Sequence, residues 1–199
     1  HADHAGGYDA VSEGVAIDLV GFPDTGKAES GEEEDLTEMV VQTAREAGTD
    51  VIQLRSGDGF QIGASTRLDI LHPLSGAVPG NESSLVMLLS CGAFRILVPG
   101  DAGQDSETTL LQSGVLCDVD VLRVGHHGSE SASSRAFLEY IRPELSVVSV
   151  GTNQYGHPAD KTLERLAECG STICRTDRDG TVTLTIQGDQ LTVNKALGG

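Results

Sequence analysis

A stretch near the middle of the chain alternates apolar and polar residues and then changes character. Residues 119–124 read Val-Asp-Val-Leu-Arg-Val, a pattern typical of a strand that enters a core. The strand is followed by Gly125, His126, His127, Gly128 and Ser129. Packing alone rarely places two histidines at a strand end, and imidazole at neutral pH is a metal ligand or a proton carrier. The glycines permit a tight turn, so we expect both rings at the edge of a sheet.

The same periodicities predict the rest of the elements. Strands are predicted at 15–20, 51–54, 60–62, 67–71, 85–90, 94–98, 145–150, 172–175, 181–187 and 190–193. Helices are predicted at 9–12, 32–47 and 106–112, from Ser131 or Ser133 to Tyr140, and from Pro158 to Gly170. Residues 1–7 are predicted to be a loop. Strands with interspersed helices indicate a layered α/β fold.

Length and charge narrow the function classes. The 199 residues fit one domain, 1–199, because no repeat or linker divides them. Asp and Glu number 30 against 13 Lys and Arg, giving a formal net charge of −17. Such a surface repels polyanions at low salt, which argues against a broad nucleic-acid-binding face. It also resembles the acidic, lysine-poor surfaces of halophile proteins, which high salt would screen.

Histidine and aspartate occur at three strand ends or loops. The chain opens with His1-Ala2-Asp3-His4, and Asp101 follows the apolar strand 94–98. Together with the His126-His127 pair, these positions supply the ligands of a hydrolytic metal site. Simpler interpretations stay open: a polar terminus, a helix cap at Asp101, and ordinary turn histidines.

The order of these motifs resembles the metallo-β-lactamase superfamily, whose pattern is H-x-H-x-D-H, an Asp after a strand, and a His after a later strand. His1, Asp3 and His4 match the end of the first motif. A closer resemblance is to the metallo-β-lactamase-like C-terminal domain of the ComEC/Rec2 DNA-uptake channel proteins. It covers the chain from His1 to about Val182, through Leu71-His72-Pro73, Asn81–Val86, Leu97–Ala102, the His126–Ser129 stretch, Asn153–Pro158 and Arg175–Gly180.

The resemblance implies a fold and an activity. The fold would be an αββα sandwich with a metal site at the sheet edges, here without its opening N-terminal strands. The activity would be metal-dependent hydrolysis of phosphodiesters, as a nuclease that degrades the DNA strand that is not imported. The implied location is extracytoplasmic. The implied partners are single-stranded DNA, or another phosphodiester, and the membrane-channel part of the same protein; this fragment itself would not insert into a membrane.

The resemblance also assigns roles to residues. One or two divalent ions, Mn²⁺ or Zn²⁺, would be bound, because the isolated third-motif His is replaced by Asn81–Ser84 and oxygen ligands favour harder ions. The expected metal ligands are His1, Asp3, His4, Asp101 and His126, with His127 as a further ligand. The expected catalytic residues are Asp3, His127 and His157. The expected substrate-binding residues are Ser129, Asn153 and His157, although Ser129 is equally compatible with a helix cap. His72 is as compatible with a structural role as with a functional one.

Two other functions remain open at this point. The same scaffold could carry another hydrolase, of the lactonase or phosphocholine-esterase type, because fold does not fix substrate. A metal-free docking domain of a membrane channel is the non-enzymatic alternative. Because the chain begins inside the first motif, we also expect His1 to lie at the metal cleft beside an uncovered sheet edge, and metal binding to be weaker than in a longer chain.

Overall fold

A mixed sheet of seven strands forms the centre of the protein. The computed structural model describes residues 2–25, 32–74 and 80–197, without the side chains of residues 2, 3 and 32–35. His1 and the side chain of Asp3 therefore lie outside the described residues, and their expected positions stay predictions. None of the helices in the described ranges is both long and apolar enough to cross a membrane.

The elements follow the predicted alternation of strands and helices. The helices are α1 (Ala2–Ala5), α2 (Tyr8–Gly14), α3 (Glu32–Glu46), α4 (Gln104–Ser113), α5 (Arg135–Ile141), α6 (Asp160–Glu168) and α7 (Thr176–Asp179). The strands are β1 (Leu19–Pro23), β2 (Asp50–Leu54), β3 (Gly59–Ile62), β4 (Thr66–His72), β5 (Val86–Cys91), β6 (Phe94–Val98), β7 (Val121–Arg123), β8 (Leu145–Val148), β9 (Thr172–Arg175), β10 (Val182–Gln187) and β11 (Gln190–Lys195). Short 3₁₀ turns span Asn81–Ser83 and Gly125–Gly128.

The central sheet has an antiparallel half and a parallel half. Strands β3, β4, β5 and β6 pair antiparallel in chain order, whereas β6, β7, β8 and β9 pair parallel. Parallel neighbours need long crossovers, and helices α4, α5 and α6 supply them. The carboxyl ends of β6, β7 and β8 consequently lie at one edge of the sheet.

The two faces of the sheet are covered differently. One face packs on the crossover helices through a core that includes Leu97, Leu122 and Val148 from the strands, and Phe137 and Leu166 from the helices. The opposite face buries the alternate residues Val121, Leu145 and Cys174 beneath side chains of β10 and β11. Because side chains alternate along a strand, neighbouring residues such as Val121 and Leu122 serve different layers. Helix, sheet and second-strand layers agree with the predicted layering.

A separate pair of parallel strands lies beside α3. Strand β1 pairs with β2 from Leu19 opposite Asp50 to Pro23 opposite Leu54, and α3 packs on β2. The side chain of Leu54 packs over Gly21, where an added Cβ would lie 2.4 Å from Leu54 Cδ1 and would displace that side chain. The bulk of the metal-site geometry comes from the central sheet and not from this pair.

Most element predictions are confirmed with shifted ends, and a few are wrong. The opening motif forms helix α1 where a loop was expected, and β1 begins at Leu19 instead of Val15. Helix α5 is capped by Ser134, whose Oγ accepts a hydrogen bond from Phe137 N, and not by Ser131 or Ser133. Helix α7 was not predicted. All four cysteines are free thiols.

Candidate metal centre

The candidate site lies at the sheet edge where the parallel strands end. Asp101 comes three residues after β6, and His126 and His127 lie in the turn directly after β7. The segment after β8 carries Asn153 and His157 to the same edge, because parallel strands present their carboxyl ends together. Helix α1 adds His4 from the other end of the chain, where its Nε2 lies 3.0 Å from Asp101 Oδ2.

Three side chains form a group with metal-binding geometry. One ligand atom from each of His4, Asp101 and His127 lies within 4.8 Å of the other two. The rings of His4 and His127 are 5.5 Å apart between centroids, and His127 Nε2 lies 3.8 Å from Asp101 Oδ1. Two imidazoles and one carboxylate are a donor set suited to Zn²⁺ and Mn²⁺.

The environment of Asp101 fits a bound cation. The side chain is 4% exposed, and its Oδ1 accepts no hydrogen bond from the part of the chain that the structure describes. A buried carboxylate oxygen without a partner costs about 1–3 kcal/mol or more. The Arg123 guanidinium, 3.9 Å away, offsets part of the charge but is beyond hydrogen-bond distance. A cation between Asp101 and the two imidazoles would therefore satisfy an oxygen that the protein leaves unsatisfied.

The backbone around Asp101 is held by its neighbours. Gly100 has φ of +60° and lies so close to Ser84 that a Cβ would come within 3.2 Å of it. The Gly100 carbonyl accepts hydrogen bonds from Arg123 Nη1 at 2.8 Å and from His126 N at 3.0 Å. Asp101 N donates to Ser84 Oγ at 3.3 Å. These contacts tie the Asp101 loop to the histidine turn.

The protonation pattern of His127 follows from its hydrogen bond. His127 Nδ1 lies 2.8 Å from the Ser149 carbonyl oxygen, which can only accept, so Nδ1 carries the proton. In a neutral ring the lone pair is then on Nε2, the atom that faces Asp101. The Ser149 carbonyl thus presents His127 in the tautomer that a metal ion requires.

His126 points to a different neighbour. Its ring meets the His157 ring edge-on, with centroids 5.7 Å apart, and is not in the His4, Asp101 and His127 group. Burial lowers the pKa of His157, and the nearby His126 and His127 lower it further. The expected roles of His126 as a ligand and of His157 as a proton donor remain predictions.

Asn153 is engaged within its own loop. Its Oδ1 accepts from Tyr155 N and His157 N, and its Nδ2 donates to the carbonyls of Gly151 and His157. These four hydrogen bonds use both donors and both lone pairs of the amide. The structure therefore gives Asn153 the task of positioning His157, while its expected contact with substrate remains a prediction.

Ser129 belongs to a loop held from two sides. Its Oγ lies 3.0 Å from Ser131 Oγ, and its carbonyl accepts from Thr162 Oγ1 at 2.8 Å.

The backbone N–H groups of Ser133 and Ser134 donate to the carboxylate of Glu107. Arg165 donates to the carbonyls of residues 130, 132 and 133. This clamp fixes the segment that follows the histidine turn.

Sequence reasoning missed Glu107, although a signal was present. The side chain is 2% exposed on the face of α4 that also buries Leu110, so a charged residue stands on an apolar stripe. Burial raises the pKa of its carboxyl, against the hydrogen bonds from Ser134 and Ser133 that lower it. A charge at a buried helix position indicates a polar network.

His72 takes a structural position. It is buried, and its Nδ1 lies 3.2 Å from the Ser84 carbonyl oxygen. Ser84 in turn accepts from Asp101 N through Oγ. The side chain therefore supports the Asp101 loop from behind, which favours the structural interpretation.

Comparison with known proteins agrees with this geometry. A family model described as the metallo-beta-lactamase superfamily matches residues 1–152. ComE operon protein 3 of Bacillus subtilis is 33% identical over 73% of this chain and 19% of its own length. Recombination protein 2 of Haemophilus influenzae is 32% identical over 58% of this chain and 15% of its own. Competence protein ComA of Neisseria gonorrhoeae is 35% identical over 52% of this chain and 15% of its own.

The chain thus spans less than a fifth of the length of each of these relatives. Among solved structures, CmlA, a diiron beta-hydroxylase from Streptomyces venezuelae, is similar over 68% of this chain and 35% of its own, with a TM-score of 0.49 and 16% identity.

Proposed function

The chain belongs to the metallo-β-lactamase superfamily and is related to the ComEC/Rec2 competence proteins, and from this premise we propose that it is a metal-dependent phosphodiesterase that cleaves single-stranded DNA. The fold class is that of a superfamily whose members usually bind one or two divalent metals. The observation that carries the proposal is the group of His4, Asp101 and His127 at the sheet edge, in which the Asp101 carboxylate is buried.

The metal would be Mn²⁺ or Zn²⁺, held by His4, Asp101 and His127, with His1, Asp3 and His126 as further expected ligands. When bound, such an ion polarises a phosphoryl oxygen and lowers the pKa of bound water toward neutrality. The unsatisfied Oδ1 of Asp101 and the Nε2 lone pair of His127 support this assignment.

The other residues would orient the substrate and move protons. The Ser149 carbonyl holds the proton of His127 on Nδ1. His157, positioned by Asn153, would donate a proton to the leaving oxygen. Because its pKa is lowered, protonated His157 is the stronger acid, but a smaller fraction is protonated at neutral pH. Its contribution to the rate should therefore be largest on the acidic side of neutrality.

The cellular setting is part of the proposal. Two of the relatives are named as a competence protein and a recombination protein, and this chain matches a small part of the length of each relative. We infer that the domain acts on the extracytoplasmic side of a membrane, beside a channel-forming part of the same protein. Its substrate would be the DNA strand that is not imported.

Removal of Asp101 tests the proposal. The Asp101→Ala variant should keep its circular dichroism spectrum, lose bound metal by elemental analysis, and cleave single-stranded DNA at least about 100-fold more slowly, since even partners behind a ligand are worth 10–100-fold. EDTA should abolish cleavage by the parent. The matched control is Asp105→Ala, which removes an exposed carboxylate from the first turn of α4.

Each contrary outcome has a distinct meaning. Unchanged metal content in Asp101→Ala excludes Asp101 as a ligand. A metal-loaded parent that leaves DNA intact at every salt concentration, but cleaves a lactone or a phosphocholine ester, identifies a different hydrolase. A parent that binds no divalent ion favours the docking domain.

A further inference from the structure

Tyr155 lies beside the metal centre with most of its ring in solvent. Its side chain is the most exposed large hydrophobic one in the described ranges, at 82%. One ring face stacks on His157, with centroids 5.9 Å apart and planes inclined by 23°. The His157 ring meets the His126 ring, and His126 directly precedes His127 of the metal group. A row of three rings therefore leads from solvent to the candidate site.

The loop that carries Tyr155 is braced. Asn153 accepts from the backbone N–H of both Tyr155 and His157 and donates to the carbonyls of Gly151 and His157. The Gly128 carbonyl accepts from Ala159 N at 2.9 Å, which joins the end of the loop to the histidine turn. A single exposed aromatic side chain is common on protein surfaces. A braced ring that is stacked on a site histidine is a preorganised contact surface.

The charge of the chain makes such a surface useful for a nucleic acid. With a formal net charge of −17, the protein gains little from attraction to phosphates. Binding must then come from contacts that do not depend on charge. Stacking of a base on an aromatic ring is such a contact, and it tolerates any sequence because every base has a π-face.

We propose that the outer face of Tyr155 stacks an unpaired base next to the phosphodiester that is cleaved, and thereby selects single strands. Bases inside a duplex are covered by their neighbours on both faces and cannot stack on a protein ring. His157 supports the platform from behind, and Asn153 holds both residues in place. This inference rests on the proposed function and adds the part of the substrate that is recognised.

Binding to the metal-free protein tests the platform separately from cleavage. In EDTA, the parent should bind a fluorescent oligothymidylate about tenfold more tightly than Tyr155→Ala, as expected for the loss of one stacked base. Tyr155→Phe should bind like the parent, because the ring and not the hydroxyl makes the contact. The matched control is Tyr140→Ala, which removes another partly exposed tyrosine from α5.

An abasic oligomer tests whether binding depends on the bases, since it keeps the phosphates and lacks the bases. It should bind the parent and Tyr155→Ala equally weakly. The chain has no tryptophan, so Tyr155→Trp introduces a unique fluorophore, which the oligothymidylate should quench and the abasic oligomer should not.

Equal affinity of the parent and Tyr155→Ala for oligothymidylate would overturn the platform, and so would undetectable binding by the parent. Tight binding of the abasic oligomer to the parent would also overturn it. If the metal-loaded parent cleaves DNA but Tyr155→Ala binds normally, the inference fails and the proposed function stands. If binding depends on Tyr155 and on the bases but no metal condition gives cleavage, the proposed function fails and the platform stands.

Discussion

At the scale of single residues, the two adjacent histidines set the geometry of the candidate site. His126 and His127 both adopt left-handed backbone angles, with φ of 48° and 53°. Non-glycine residues in this region cost of order 1–3 kcal/mol each, and such strain persists where the surroundings hold it. Hydrogen bonds of His126 N to Gly100 and of His127 Nδ1 to Ser149 provide that support. The result is that one ring faces Asp101 and the other faces His157.

His72 should make stability depend on pH. Burial lowers its pKa from 6.5, so the unfolded chain binds this proton more readily than the folded one. Stability from His72 is therefore complete above about pH 6.5 and is lost as the pH falls toward the lower folded pKa. Urea unfolding in EDTA should give a free energy of unfolding that rises with pH through this window. His72→Asn, which can still donate to the Ser84 carbonyl, should flatten the rise.

Comparing the pH dependence of the parent with that of His72→Asn separates the contribution of His72 from those of the histidines in the metal group. At pH 8 the ring of His72 is neutral in both the folded and the unfolded chain, because burial lowers its pKa, so the difference between parent and variant there is the cost of the substitution alone. A variant whose pH dependence between 5 and 8 runs parallel to that of the parent would show that His72 is not the group that titrates.

At the scale of elements, the sequence predicts which strand ends carry the candidate ligands, but not which side chains of the different loops come into contact. Strands β6 and β9 match the predicted bounds, because apolar strands bounded by turn residues leave a local signal. Asp101 and the histidine pair could be placed at strand ends for the same reason. That His127 and not His126 joins His4 and Asp101 depends on left-handed angles at both residues, which no local pattern encodes.

Local sequence patterns do not predict the side-chain hydrogen-bond networks either. The hydrogen bonds of Glu107 and Arg165 to the backbone of residues 130–134 join residues 26 to 35 positions apart, and the cap of α5 is Ser134 within this segment. The hydrogen bonds of the Asn153 amide all close within one loop, and its expected contact with substrate stays a prediction. Such assignments need the distance between side chains, which periodicity does not supply.

Gly128 should determine how closely the histidine turn approaches the loop that precedes α6. A Cβ there would lie 2.6 Å from Pro158 Cβ, and its φ is +84°. Gly128→Ala should therefore lower the free energy of unfolding by roughly 2–4 kcal/mol, from backbone strain and overpacking together. Gly114→Ala is the matched control, because Gly114 also has positive φ but open space around it. Urea unfolding should show a loss of only about 1 kcal/mol for the control.

Equal losses in the two glycine variants would mean that contact with Pro158 imposes no constraint. Gly128→Ala should also slow DNA cleavage, because Gly128 lies between His127 and the loop that carries His157. Slower DNA cleavage by Gly128→Ala than by Gly114→Ala would tie this contact to the site.

At the scale of the whole molecule, charge should govern both stability and substrate approach. The formal net charge of −17 means that like charges repel across the folded surface, and salt shortens the range of that repulsion from about 10 Å at 0.1 M to about 3 Å at 1 M. The free energy of unfolding should therefore rise with NaCl. Cleavage of single-stranded DNA should rise as well, with its optimum at moderate or high salt.

This dependence is opposite in sign to that of proteins that bind DNA through Lys and Arg. Their affinity falls steeply with salt, because the counterions that binding releases from the DNA gain less entropy in a more concentrated salt solution. A variant with four exposed acids neutralised separates charge from other effects of salt: Glu38→Gln, Asp50→Asn, Glu164→Gln and Asp189→Asn. Its stability and its cleavage rate should both be higher than those of the parent at low salt and converge with them at about 1 M, where charges are screened. Cleavage by the parent that falls steadily with salt would instead indicate a cationic phosphate-binding surface, and would contradict binding that depends on stacking.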